Sequence, residues 1–283
     1  MQTMPCCYSV LMSVYYKEKP ENLREAMESI WTQSIPTNDF VLICDGPLTP
    51  VLDAVVDEMK RRFPDRLRVH RLEKNGGLGN ALNIGVGLCR NELIARMDSD
   101  DISRPDRCER QLAAFELDPE LALVSGTVEE FSESRENVGF RRVLPETNTA
   151  ILEFAKKRNP FNHPCVMYKK SAVEAAGGYQ DFYLLEDYYL WIRMLQMGCH
   201  GRNLPEPMLW MRAGSELYRR RSGWKYAQSQ RRLFQYMLRT GFISPAQYGS
   251  SVLVRTAASV IPNDVRAIVY RLFLRKRKKE AES

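Results

Sequence analysis

Leu93-Ile94-Ala95-Arg96-Met97-Asp98-Ser99-Asp100-Asp101 is an apolar run of strand length that stops in three carboxylates. In an open α/β sheet, ligands bind beyond the carboxyl ends of the strands. Acids placed there offer hard oxygen ligands to a divalent cation such as Mg2+ or Mn2+, which can in turn hold a diphosphate. Asp and Ser are also common turn and cap residues. Ser103-Arg104-Pro105 follows and reads as an N-cap with a first helical turn. Taken alone, the turn fits a metal site or mere punctuation.

The residues before it supply the context. Tyr8-Ser9-Val10-Leu11-Met12-Ser13-Val14-Tyr15-Tyr16 is a strand by composition, broken at Lys17-Glu18-Lys19-Pro20. Leu23, Ala26, Met27, Ile30 and Trp31 then recur at helical spacing. Phe40-Val41-Leu42-Ile43-Cys44 is a second strand ending in Asp45-Gly46-Pro47, followed by a helix marked by Leu52, Val55, Val56 and Met59. Leu67 to Leu72 is a third strand. Asn75-Gly76-Gly77-Leu78-Gly79-Asn80 then opens a third helix, and the acidic stretch is the fourth strand. Four strand–helix alternations with short loops predict a parallel sheet with helices on both faces. Tyr15, Glu18, Asp45, Lys74 and Asp98 would then share one sheet edge. A dinucleotide fingerprint is excluded, because the glycines follow the third strand and Leu82 occupies the third glycine position.

Ser9 to Tyr16, Cys44-Asp45-Gly46, the Asn75 to Asn83 turn and Asp98-Ser99-Asp100-Asp101 resemble the motifs of family 2 glycosyltransferases, in the family's order and at its usual separations. The resemblance covers about residues 8 to 215. It implies a GT-A fold, Rossmann-like with a mostly parallel central sheet, and an inverting sugar transfer that uses Mn2+ or Mg2+. By the same resemblance Val14, Tyr15, Glu18, Asp45, Asn75 and Gly79 would frame the nucleotide, with Asp45 accepting from the base. Asp98 would sit by the ribose and cation, and Asp100 would ligate the metal. Two departures stand out: Tyr16 occupies a position where Asn is usual, and the second strand ends in one Asp rather than a pair. UDP is favoured over other nucleotides by the resemblance alone.

Farther on, Pro105 to Leu117 reads as a helix and Leu121 to Gly126 as a strand; residues 127 to 147 are polar, with weak strand-like alternation. Asn159-Pro160-Phe161-Asn162-His163-Pro164 leads, extended, into a strand Cys165-Val166-Met167-Tyr168. His163 fits a substrate contact or a structural seat. Leu184-Leu185-Glu186-Asp187 opens a strongly apolar helix with an acidic first turn. Acids there suit the helix dipole; they also suit a general base, since inverting transfer needs a carboxylate to take the acceptor's proton. The family's base is the Asp of such a pair, which matches Asp187, leaving Glu186 to orient the acceptor. Met208 to Arg212 is a short strand, and Arg219-Arg220-Arg221 is either a solvated loop or a source of donors that close over the diphosphate through Arg219 and Arg221.

The chain of 283 residues divides into a donor- and acceptor-binding domain over 1–215 and C-terminal helices with a basic tail over 216–283. Net charge is +6, and Arg275-Lys276-Arg277-Lys278-Lys279 concentrates it near the end. Val265, Ile268, Val269, Leu272 and Phe273 recur at helical spacing, as in a helix docked on the domain or lying on an anionic leaflet. The partners implied are a nucleotide-sugar, a glycan or lipid-linked acceptor and an anionic membrane surface. A nucleic acid is not implied, for want of a recognition module. Seven cysteines without a Cys-x-x-Cys pair read as free thiols. With no secretory signal or spanning run, this points to the cytoplasm of a bacterium, peripheral on its inner membrane. Two rivals are weaker. A sugar nucleotidyltransferase needs a glycine-rich loop after the first strand, and Val14 to Lys19 has no glycine. A non-catalytic scaffold has no need of both Asp100 and Asp187.

Overall fold

Four parallel strands, in the order β3-β2-β1-β4, carry the residues just singled out: β1 (Tyr8–Val14), β2 (Asp39–Cys44), β3 (Leu67–Arg71) and β4 (Leu93–Asp98). The computed structural model describes residues 7–132, 135, 138–213, 223–260 and 276–277. Helices α1 (Pro20–Trp31), α2 (Pro50–Arg62) and α3 (Leu78–Leu88) connect the four strands. α1 and α2 each begin with proline, whose missing N–H has no partner at a helix start anyway. A two-residue strand β5 (Ile102–Ser103) and helix α4 (Arg107–Leu117) follow.

Beyond β4 the sheet becomes mixed. β8 (Met167–Lys169) runs antiparallel to both β4 and β6 (Leu121–Phe131), and β7 (Val138–Arg142) is antiparallel to β6. β9 (His200–Arg212) follows β6 in parallel and also pairs with β5, while β10 (Lys276–Arg277) pairs with β7. The parallel pattern expected from the alternation thus governs the first half of the sheet. In the second half α5 (Asn148–Ala155), α6 (Lys170–Ala175) and α7 (Glu186–Gln196) fill the connections, and α8 (Trp224–Arg239) and α9 (Pro245–Val260) come after β9.

Alternate residues of each strand feed two cores, as the pleat requires. Val10, Met12 and Val14 face α1, α2 and α4, packing with Leu23, Met27, Leu52, Met59 and Phe115. Leu11, Val41 and Ile43 face the other way, onto α3, α7 and α8. Leu233, Phe234 and Met237 of α8 are buried in the same cluster as Leu190 and Trp191 of α7. Leu233, Phe234 and Met237 recur at the spacing of one helical face. The boundary at 215–216, Arg219, Arg221 and the stripe from Val265 to Phe273 lie outside the described residues.

Several local expectations give way. Ser103 is buried in β5 and not a cap; α4 starts after Asp106. Cys165 closes a short 3-10 turn, His163–Cys165, so β8 begins only at Met167. Met208 to Arg212 is the end of a 13-residue strand. Helices α5, α6 and α9 carried no recognised signal; α5 and α6 span only 8 and 6 residues, too few to show a period. Among the described residues, no helix is long and apolar enough to cross a membrane. The described cysteines are all free.

Candidate active site

The strand ends line up because the registers do: Val14 pairs with Cys44, Cys44 with Arg71, and Ser13 with Asp98. The loops leaving these strands therefore share one edge. After β1 the chain turns, with Glu18 N–H donating to the Tyr15 carbonyl at 3.1 Å. Glu18 Oε1 accepts from Lys19 N–H (2.8 Å) and Asn22 Nδ2 (3.1 Å), and its Oε2 accepts from Ser99 Oγ (3.0 Å). The first loop is thereby tied to the acidic turn.

Asp45 N–H donates to the Val14 carbonyl at 2.8 Å. Its buried carboxylate accepts from Gly76 N–H (2.7 Å) and Gly77 N–H (3.0 Å), while Asn75 Nδ2 donates back to its carbonyl (3.1 Å). Gly46 makes this closeness possible: its φ is +85°, and a Cβ there would lie 2.6 Å from Asn75 N. Asp45, expected to meet a base, thus has both oxygens engaged by the glycine-rich loop. In the first turn of α3, Gly79 faces the start of α7: an added Cβ would stand 3.3 Å from the Gln180 carbonyl oxygen and 3.4 Å from Glu186 Cβ. Val14, Asp45, Asn75, Gly79 and Glu186 are accordingly brought together.

Carboxylate oxygens of Asp98, Asp100 and Asp101 lie within 4.8 Å of one another. Asp101 is buried and accepts from Arg212 N–H at 2.8 Å, and Arg212 Nε donates to the Asp100 carbonyl at 3.1 Å. Burial, then the charges of Asp100 and Asp98, hold the Asp101 carboxyl well above the usual carboxylate range. Two residues before Asp98 on β4, and so on the same side of the strand, the fully buried Arg96 guanidinium donates to the Asp98 carboxylate. Its Nε and Nη1 have no hydrogen-bond partner. Hard carboxylate oxygens gathered this closely fit a divalent cation, with the half-buried Asp98 and Asp100 as its holders.

The second carboxylate pair is placed by strain and by one distant contact. Leu184 has φ +57°, a left-handed conformation that costs a branched residue on the order of 1 kcal/mol or more. It turns the chain so that Glu186 and Asp187 are the first residues of α7. Asn159 Nδ2 donates to Asp187 Oδ2 at 2.6 Å, and Tyr188 N–H donates to Oδ1 at 2.7 Å. Burial, with the neighbouring Asp187 charge second, pushes the Glu186 carboxyl up to about 7. Behind α7, Trp191 is fully buried among Phe161, His163, Tyr168 and Tyr179. His163 is 9% exposed, with Nε2 3.0 Å from the Tyr179 hydroxyl. Burial, then the Arg96 charge, lowers its pKa well below the usual histidine value, so the ring is neutral. It sits in the wall behind the pair.

Four contributors escaped the sequence. Ser99 and Arg96 lie inside the deciding stretch, and the two-residue offset of Arg96 from Asp98 was a usable strand signal. Asn159 and Arg212 reach their carboxylates across 28 and 111 residues of chain, and nothing local marks them.

Residues 9–176 match the family model "Glycosyl transferase family 2". The amylovoran biosynthesis glycosyltransferase AmsE of Erwinia amylovora is 41% identical over 93% of this chain and 97% of its own. A UDP-Gal:alpha-D-GlcNAc-diphosphoundecaprenol beta-1,3-galactosyltransferase of Escherichia coli is 36% identical over 95% and 97%. Among solved structures, the mannosyltransferase PcManGT of Pyrobaculum calidifontis, in complex with GDP-Man and Mn2+, superposes with a TM-score of 0.64 at 17% identity, covering 92% of this chain and 71% of its own.

Proposed function

The chain belongs to glycosyltransferase family 2, and from that premise we propose that it is an inverting, metal-dependent enzyme moving one sugar from a UDP-sugar to a hydroxyl of a lipid-linked glycan. The observation that carries this is the convergence on one sheet edge of the clustered Asp98, Asp100 and Asp101 carboxylates and, across Gly79, of the Glu186–Asp187 pair.

In this reading Val14, Tyr15, Glu18, Asp45, Asn75 and Gly79 frame the nucleotide, with Asp98 at the ribose. Asp98 and Asp100 hold the cation. A bound Mn2+ or Mg2+ would supply the positive charge that stabilises a departing diphosphate. Asp187 takes the proton of the attacking acceptor hydroxyl. The new bond to the anomeric carbon forms as the bond to the diphosphate breaks, which inverts the configuration in one displacement. Each Asp187 oxygen already accepts one hydrogen bond and keeps a lone pair for this proton. Glu186 orients the acceptor, and His163 supports α7 from behind. The substrates in the E. coli relative's name favour a uridine donor and a diphosphate-linked acceptor; such an acceptor sets the work at the cytoplasmic face of a bacterial membrane.

Thermal shifts with UDP, GDP and ADP, with and without Mn2+, test the donor half on wild type and Asp100→Ala. At about 100 times Kd a ligand adds about 2.7 kcal/mol, roughly 5–10 °C for a chain of this size. UDP with Mn2+ should produce such a shift in wild type, and Asp100→Ala should abolish the part that Mn2+ adds. Equal shifts with and without Mn2+ in wild type would remove the metal from the reading.

A further inference from the structure

A groove of about 190 Å3 lies between α7 and α8, lined by Phe182, Tyr189, Arg232, Gln235, Tyr236 and Arg239. We propose that it receives the diphosphate of the acceptor, with the acceptor's sugar reaching back over Glu186 to Asp187. This rests on the glycosyl-transfer reading above and extends it to a second anion site, apart from the donor's.

Charge is the first argument. α8 carries Lys225, Arg231, Arg232 and Arg239 and no acidic residue. Lys225, Arg232 and Arg239 are spaced by seven, so they fall along one stripe of the helix, within about 20° per step. Among the described residues, none of the three pairs with a carboxylate. Two of them lie instead on aromatic faces of the segment that leads into the base: Lys225 Nζ is 4.1 Å from the Tyr183 ring centre and the Arg232 guanidinium 5.1 Å from that of Phe182. Such contacts leave the N–H groups at the edge of the guanidinium free to grip phosphate oxygens. Elsewhere on the described surface some arginines are ion-paired, as Arg24 is with Glu58, Arg71 with Asp53 and Arg110 with Asp106.

Placement is the second argument. At about 100° per residue, Glu186 falls between Tyr189 and Asp187 around α7. Tyr189 packs on Phe182, with ring centres 4.6 Å apart, and on Tyr236, at 4.9 Å. One end of α7 therefore presents, in angular order, the groove wall, the orienting carboxylate and the base. An acceptor anchored by its diphosphate at Arg232 and Arg239 has its sugar led past Glu186. The aromatic lining adds apolar surface for the first carbons of a lipid chain.

Arg232 and Arg239 are exposed, so the double variant Arg232→Ala/Arg239→Ala keeps the core intact. Transfer is measured to two acceptors: N-acetylglucosaminyl diphosphate bearing a decyl chain, and the neutral octyl glycoside of the same sugar. In the double variant the ratio of kcat/KM for the diphosphate acceptor to that for the glycoside should fall about tenfold or more, through KM of the former. An unchanged ratio overturns the proposal. Calorimetric titration with decyl diphosphate, the donor site filled with UDP and Mn2+, should show binding to wild type and its loss in the double variant; equal binding by both overturns it. Failure of wild type to transfer any sugar would defeat the glycosyl-transfer reading, while this titration still decides the groove. If phosphatidylglycerol vesicles lacking any diphosphate bind wild type and lose the variant to the same degree, the cations serve bulk membrane and the proposal falls.

Discussion

The two carboxylate clusters of the site are held by opposite means. The acidic turn is gripped from several directions: Arg96 from within β4, Arg212 from the end of β9, and Glu18 from the loop after β1 through Ser99. Among the described residues the Glu186–Asp187 pair has one distant hydrogen bond, from Asn159, and an entry bent through the left-handed Leu184. A cation site has to keep several oxygens at fixed spacing against their own repulsion, and redundancy gives it that rigidity. A base has to aim one oxygen at a substrate, and a helix start with one orienting bond suffices. The difference makes the pair the more sensitive of the two to single changes.

The largest effect should come from Asp187→Asn. The amide is nearly isosteric and keeps an oxygen to accept from Asn159 while losing the bond from Tyr188 N–H, but it cannot take a proton. We expect turnover to fall on the order of 10²–10⁴-fold with the donor KM unchanged, measured as initial rates of transfer. A variant within threefold of wild type would move the base elsewhere.

Next come two truncations that set the clusters against each other. Asn159→Ala removes the only distant hydrogen-bond partner of Asp187 among the described residues and should lower kcat about tenfold, leaving donor KM alone, because misaimed groups lose rate before they lose binding. Ser99→Ala removes one of several restraints on the acidic turn and should change kcat and the Mn2+ requirement by less than about threefold. If Ser99→Ala proved the more damaging, the redundancy inferred for the turn would be wrong.

The same contrast explains what could be read in advance. The acidic turn, the glycine-rich turn and the first four strands announced themselves because their signals are local: a strand period of two, a helix period near 3.6, and turn residues at the joints. Asp98, Asp100, Glu186 and Asp187 stand out as candidates for the same reason. Arg212 and Asn159 were not, since asparagine after a helix and arginine at a strand end are ordinary surface choices until the fold supplies a partner. The antiparallel second half of the sheet was equally hidden. β8 has three residues, and β6 reaches 11 only because β7, β8 and β9 all pair with it. Asp45 shows the reverse case: its strand-end position is legible, yet its carboxylate spans two loops in a way that spacing alone does not reveal.

The smallest effect lies in the wall between the two clusters. His163 touches Tyr179 and Trp191 on the side of α7 and feels the Arg96 charge on the side of the turn. An unfolded histidine takes a proton near pH 6.5, whereas this buried ring resists one. The unfolded chain therefore binds more protons below that pH, and the stability that neutral His163 contributes is full above about 6.5 and lost as pH falls. Glu186 acts with the opposite sign: its carboxyl, raised to about 7, contributes stability that declines as pH climbs from about 4.5 to 7. Comparing wild type with His163→Gln cancels the Glu186 part, because both proteins retain it. Urea unfolding should show wild type losing about 1 kcal/mol more than the variant between pH 6.5 and 5.5. Parallel curves would mean that His163 can be protonated in the folded state, which its seat against Arg96 and Trp191 forbids; the ring would then have to reach the acceptor side of α7, and the wall would be part of the pocket.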